Sequence, residues 1–188
     1  TGVQTCALPI SIWLGLHETQ TGRDPDQVIF FRAPEAYRNV QLVELPKGDW
    51  AFSMVRQYLF DAYELACLAH LITSEYAPLA EAAAKIRPEE LYHYRHSSTW
   101  VRRLALGTAE SHRRTQAALD SLWPYAQQLF VSLPDEPALV AAGYVPEPAI
   151  TQQTWRAAVQ PFLQDCQLII PQTPTGAPPG RGLSHCGD

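Results

Sequence analysis

The stretch WAFSMVRQYLFDAYELACLAHLITS, residues 50–74, limits the possible folds more than any other. Its polar interruptions are few: Arg56, Gln57, Asp61, Glu64 and His70. As a helix it carries apolar side chains on nearly every face. Such a helix needs neighbours all round and belongs in the middle of a bundle. Asp49 stands just before it, where a carboxylate can cap the first free amides. Tyr76-Ala77-Pro78 ends the run, because proline cannot continue a preceding helix.

The rest of the chain supplies further helices and few strand signals. Asp24 before Pro25 is a cap followed by proline at the first helical position. Pro46 and Gly48 mark a turn. A second long helix is predicted from about Leu79 to Leu106, with Pro88 expected to kink or interrupt it. Gly107 and Thr108 read as the end of that helix and the cap of the next, AESHRRTQAALDSLWPYAQQLFV. Its apolar stripe is assigned to Ala117, Leu119, Leu122, Trp123 and Ala126, and Pro124 lies inside it. PDEPALVAAGY predicts a short helix closed by Gly143. The last long helix is expected over about Thr151 to Ile169, with Trp155, Ala158, Val159, Phe162 and Leu163 on its apolar face. The fold class is therefore all-α, with long antiparallel helices joined by short turns, which is bundle geometry. There is no internal repeat.

Composition removes several classes. With 46% apolar and 18% charged residues in 188, the chain is globular rather than disordered. No apolar run approaches a membrane span. A net charge of −5 and a pI near 5.6 argue against nucleic acid or an anionic membrane as partner. The one basic cluster, Arg102, Arg103, Arg113 and Arg114, flanks a helix–helix turn and reads as a solvated turn. Cys6, Cys67, Cys166 and Cys186 include no CxxC pair, so a reducing cytoplasm is the expected location.

One region carries chemistry. In an antiparallel hairpin centred near Ala77, Glu64 and Glu90 are equidistant from the turn, as are Asp61 and His93. Glu90-Leu91-Tyr92-His93 is a Glu-x-x-His, whose spacing puts both side chains on one helix face. Carboxylates opposite a Glu-x-x-His across a bundle core are how di-iron carboxylate proteins hold metal. Glu64, Glu90 and His93 are the metal candidates, with Asp61 a possible fourth ligand. A complete site needs a second Glu-x-x-His and two more carboxylates, and no second motif exists; Glu110-Ser111-His112 has the wrong spacing. No catalytic or cofactor-binding residue is assigned. Ser111 and His112 are adjacent and cannot face each other on a helix. His93 and His96, a turn apart, form another possible pair. No nucleophile elbow, P-loop or dinucleotide fingerprint occurs. Three readings remain open: a structural subunit, a metal-binding protein or di-iron enzyme in its own right, and a generic helical interaction module.

Three ordered blocks resemble a known family. They are Tyr37-Arg38-Asn39 with Leu42-Val43-Glu44-Leu45-Pro46-Lys47-Gly48-Asp49-Trp50 and Arg56-Gln57-Tyr58-Leu59-Phe60-Asp61-Ala62; then Tyr92-His93-Tyr94-Arg95-His96-Ser97; then Gly107-Thr108-Ala109-Glu110-Ser111-His112 with Leu122-Trp123-Pro124-Tyr125. The pattern resembles the structural C subunits of bacterial phenylacetyl-CoA epoxidases, with Lys47 where asparagine is usual and Trp50 where phenylalanine is usual. The resemblance implies a ferritin-like bundle that is itself non-catalytic and has a degenerate metal site. It implies a catalytic A subunit as partner, holding the di-iron centre. It further implies that the complex epoxidises the aromatic ring of phenylacetyl-CoA with O₂, using NADPH electrons through a separate reductase.

The resemblance starts near Leu14. Residues 1–10, TGVQTCALPI, lack a basic region and a long apolar core, so they are no signal peptide. With suitable codons they back-translate to a sequencing adapter. Residues 1–13 are therefore expected to be a non-native leader, residues 14–170 a bundle lacking the family's first and last helices, and residues 171–188 a Pro/Gly-rich tail.

Overall fold

The computed structural model describes residues 7–33, 36 and 39–172. Residues 1–6, 34–35, 37–38 and 173–188, among them Cys6, Tyr37, Arg38 and Cys186, lie outside the described residues. Eight helices and no strand occur among the described residues: α1 Ala7–Thr21, α2 Pro25–Ile29, α3 Gln41–Glu44, α4 Trp50–Leu71, α5 Ala77–Ala105, α6 Ala109–Gln128, α7 Glu136–Ala141 and α8 Pro148–Asp165. This is the all-helical bundle expected of a ferritin-like chain.

Local chemistry sets the helix ends. The Asp24 carboxylate accepts from the Asp26 amide, and the Asp49 carboxylate accepts from the Phe52 amide at 2.9 Å. Thr108 and Ser111 form a reciprocal capping box that starts α6. Ser111 Oγ also donates to the Leu104 carbonyl at 2.7 Å, and His112 Nδ1 lies 2.8 Å from the Ala105 carbonyl. This adjacent hydroxyl–imidazole pair thus serves the α5–α6 corner. α8 closes with Gln167 at φ 59°, the Gln167 amide on the Gln164 carbonyl and the Leu168 amide on the Leu163 carbonyl. That is a Schellman closure with glutamine where glycine is usual.

α4 is the hub, packing on α3, α5, α6 and α8. Its Tyr58 and Leu59 are fully buried with Leu119 and Leu122 of α6 and Trp155, Val159 and Leu163 of α8. The Trp155 indole donates to the Leu59 carbonyl at 3.1 Å. Its ring lies 5.3 Å from that of Trp123 and 5.2 Å from that of Phe130. A buried tryptophan removes about 150–250 Å² from water. At about 25 cal/mol per Å², that contributes on the order of 4–6 kcal/mol before entropy is charged. A second, smaller cluster joins Leu68 to Ala83 and Ile86, with Ile12 and Trp13 of α1 packed on it.

Three expectations need correction. α5 runs unbroken through Pro88. Pro88 lies on the exposed face, where water can bond the carbonyl left without a donor. Ala117 and Ala158 are exposed; the stripes are completed by Thr115 and Ala118 on α6 and by Thr151 on α8, beside the expected Leu119, Trp155 and Val159. At 100° per residue, a phase error of one position carries a side chain off a narrow stripe. α8 ends at Asp165, not Ile169, because the left-handed Gln167 turns the chain.

Trp155→Ala should cost about 3–5 kcal/mol, read as a lower denaturant midpoint at unchanged m-value. Gln167→Gly should raise stability by about 1 kcal/mol in the same assay, since glycine adopts φ > 0 without a Cβ clash.

Candidate metal centre

The α4–α5 pairing builds the site. Asp61 and Glu64 are one helical turn apart on α4; Glu90 and His93 are one turn apart on α5. Asp61, Glu64 and Glu90 each place a carboxylate oxygen within 4.8 Å of the other two. Asp61 and Glu90 are buried, Glu64 and His93 partly so. His93 Nδ1 lies 3.2 Å from Glu90 Oε2, the geometry that the Glu-x-x-His spacing predicts. The turn-symmetry pairing of Glu64 with Glu90 is reproduced. His96, the other imidazole considered, sits exposed on the outer face of α5, away from the cluster.

Two polar neighbours escaped the sequence reading. Ser97 Oγ donates to Asp61 Oδ2 at 2.7 Å, and Gln57 Nε2 donates to Asp61 Oδ1. Both stand one turn along from an assigned residue, Ser97 after His93 and Gln57 before Asp61. Extending the i,i+4 stripe in both directions would have found them.

Three carboxyls packed this closely cannot all ionise cheaply. Burial raises the Asp61 pKa, against the pull of the Ser97 and Gln57 hydrogen bonds. Glu64 is pushed up to about 8, first by burial and then by the charges of Glu90 and Asp61. Glu90 also reaches about 8, by burial and then the Asp61 charge. Glu90 Oε1 is buried and meets no hydrogen-bond donor. The Asp61 and Glu64 carboxyls beside it can donate only when protonated.

A cavity of about 480 Å³ opens beside the cluster. Glu64, Glu90 and His93 border it, and Trp13, Tyr63 and Phe130 give it apolar walls. Among the described residues, Glu136 of α7 also borders the cavity, its Oε2 accepting from the Leu133 amide, and α6 and α8 add no buried carboxylate or histidine. α6 carries Glu110 and Asp120 and α8 carries Asp165, all exposed. Core positions on these helices hold Leu119, Leu122, Trp123 and Trp155 instead. The donor set fits one divalent cation in number and type. It does not fit a two-metal centre, which needs a second Glu-x-x-His and further carboxylates. Among the described residues no helix is long and apolar enough to cross a membrane.

An all-helical bundle with half of a carboxylate–histidine metal set on its central helix pair defines the class. The chain belongs to the family of phenylacetic acid catabolic proteins, whose pattern matches residues 11–186. It is 33% identical over 167 residues to the C subunit of the 1,2-phenylacetyl-CoA epoxidase of Escherichia coli (strain K12), a match covering 87% of this chain and 67% of that protein.

The raised carboxyl pKa values fix the sign of a pH effect. Between about 4.5 and 8 the unfolded chain loses these protons while the folded chain keeps them, so stability falls as pH rises across that window. Glu90→Gln removes the charge and keeps the shape. It should flatten this fall and stabilise the protein by roughly 2 kcal/mol at pH 8, seen in melting curves recorded across the pH series.

Proposed function

We propose that this chain is the non-catalytic, structural subunit of a cytoplasmic phenylacetyl-CoA epoxidase. It scaffolds a separate catalytic subunit that holds the di-iron centre, in aerobic phenylacetate degradation. One observation carries the reading: the half-built metal set. α4 and α5 supply carboxylates and one Glu-x-x-His, while among the described residues α6 and α8 contribute no buried carboxylate or histidine. Oxygen activation at two metals needs ligands from both helix pairs. The relationship to the C subunit of an epoxidase supports the same assignment.

In this role the residues of the cluster hold helices together rather than transform a substrate. Ser97 of α5 donates to the Asp61 carboxylate of α4 and ties the two helices at mid-length, while Gln57 and His93 hold Asp61 and Glu90 from within their own helices. Protonated Glu64 and Glu90 reduce the repulsion within the set.

A second reading rests on Glu90 Oε1, buried without a donor. A single divalent cation there would replace the missing proton, held by Asp61, Glu64 and Glu90 with His93 alongside. Metal analysis of the purified chain separates the readings. The structural role expects no stoichiometric iron in this chain, and a stable complex with the catalytic subunit that carries the iron. One ion per chain, lost in Glu90→Gln, would favour the second reading. Two irons per chain, lost in His93→Ala and accompanied by O₂-dependent turnover without a partner, would sink the structural role.

A further inference from the structure

The four arginines flanking the α5–α6 turn do not form one patch. Arg113 donates to Glu110 at 2.9 Å; Arg114 donates to Glu110 at 2.7 Å and reaches Asp49 at 3.5 Å. That side is neutralised internally. The other cations lie on the outward face of the C-terminal half of α5. Tyr92, Arg95, His96, Arg102, Arg103 and Leu106 are all exposed there. Residues 91–109 contain no Asp or Glu, in a chain whose net charge is −5.

These cations have little to satisfy them within the chain. Arg95 makes no ion pair among the described residues. The acid nearest Arg102 among the described residues is Asp165, at 3.9 Å, and the Arg102 guanidinium rests on the Phe162 ring. Arg103 lies over the Trp100 ring, 5.4 Å from its centre. Trp100 in turn meets Trp50 edge-on at 5.5 Å, and Trp50 is half exposed. This stripe of arginines, with Trp100 and the half-exposed Trp50 at its end, has the composition of an interface centre, where Arg, Trp and Tyr concentrate.

We infer that this face of α5, with Trp50 and Trp100 at its end, docks an acidic helical face of the catalytic subunit. The inference rests on the pairing of subunits proposed above. The sign of the occupant follows from the stripe itself: Arg95 and Arg103 make no ion pair among the described residues and Arg102 has Asp165 at 3.9 Å, so the stripe repels a basic surface and attracts an acidic one. The surrounding negative charge of the chain favours approach along this stripe alone, so the patch sets orientation as well as affinity. The same net charge weighs against nucleic acid as occupant.

The test titrates the full chain against the purified catalytic subunit at low and high salt. Wild type should bind, with affinity falling steeply as salt rises. The double variant Arg95→Glu/Arg103→Glu should bind about tenfold more weakly or worse, and lose most of the salt dependence. Arg23→Glu, a reversal beyond the end of α1, should bind as wild type; thermal melts check that each variant folds. Wild-type affinity in the double variant would overturn the docking face while leaving the pairing of subunits intact. So would equal weakening by Arg23→Glu, which would reduce the effect to net charge. No binding by wild type at any salt would overturn the pairing and the docking face together.

Discussion

Burying α4 on several faces obliges the chain to surround it, and most of the structure follows from that obligation. α5, α6 and α8 each meet α4 along a different face, and the one-turn α3 covers its start. None of these helices buries its apolar stripe without α4, so folding is cooperative around one element. The tryptophan pair makes the dependence concrete. Trp155 reaches from α8 to a carbonyl of α4 and stacks on Trp123 of α6, tying three helices at one point.

Among the described residues the buried carboxyls lie in the α4–α5 seam, while the buried polar side chains of the other helices, Gln41, Thr115, Gln127, Gln128 and Thr151, are neutral. Carboxyls there cost stability when ionised, and the bundle offsets the cost in three ways: protons on Glu64 and Glu90, hydrogen bonds from Ser97 and Gln57 to Asp61, and the His93 contact to Glu90. Elsewhere the core is filled by leucines and by Trp123 and Trp155; the Trp155 N–H bonds the Leu59 carbonyl, and the Trp123 N–H is buried without a partner among the described residues.

The helix order and the seam could be read from residue patterns, because they rest on local rules. Proline and aspartate mark helix starts, and equal distance from a turn pairs Glu64 with Glu90. What escaped depends on exact phase or on solvent. Ala117 and Ala158 sit a step off the buried stripes. Pro88 does not break α5, because its face is wet. Gln167 takes a left-handed turn that residue type alone disfavours. Ser97 and Gln57 look like ordinary polar residues until Asp61 is known to point between them. The outer face of α5 was hidden differently: a run of basic residues looks uniform in sequence, and only the pairing of Glu110 separates neutralised charges from the rest.

The cavity beside the seam also sets a timescale. At about 30 Å³ per molecule, a 480 Å³ space holds on the order of ten waters. Glu64 and Glu90 border that space, so protons can reach them from bulk solvent without the helices parting. Charge state at the seam can then follow pH without waiting for local unfolding, which takes μs to s. An acidic cluster that borders an open space in this way can exchange protons without the slow opening of the core.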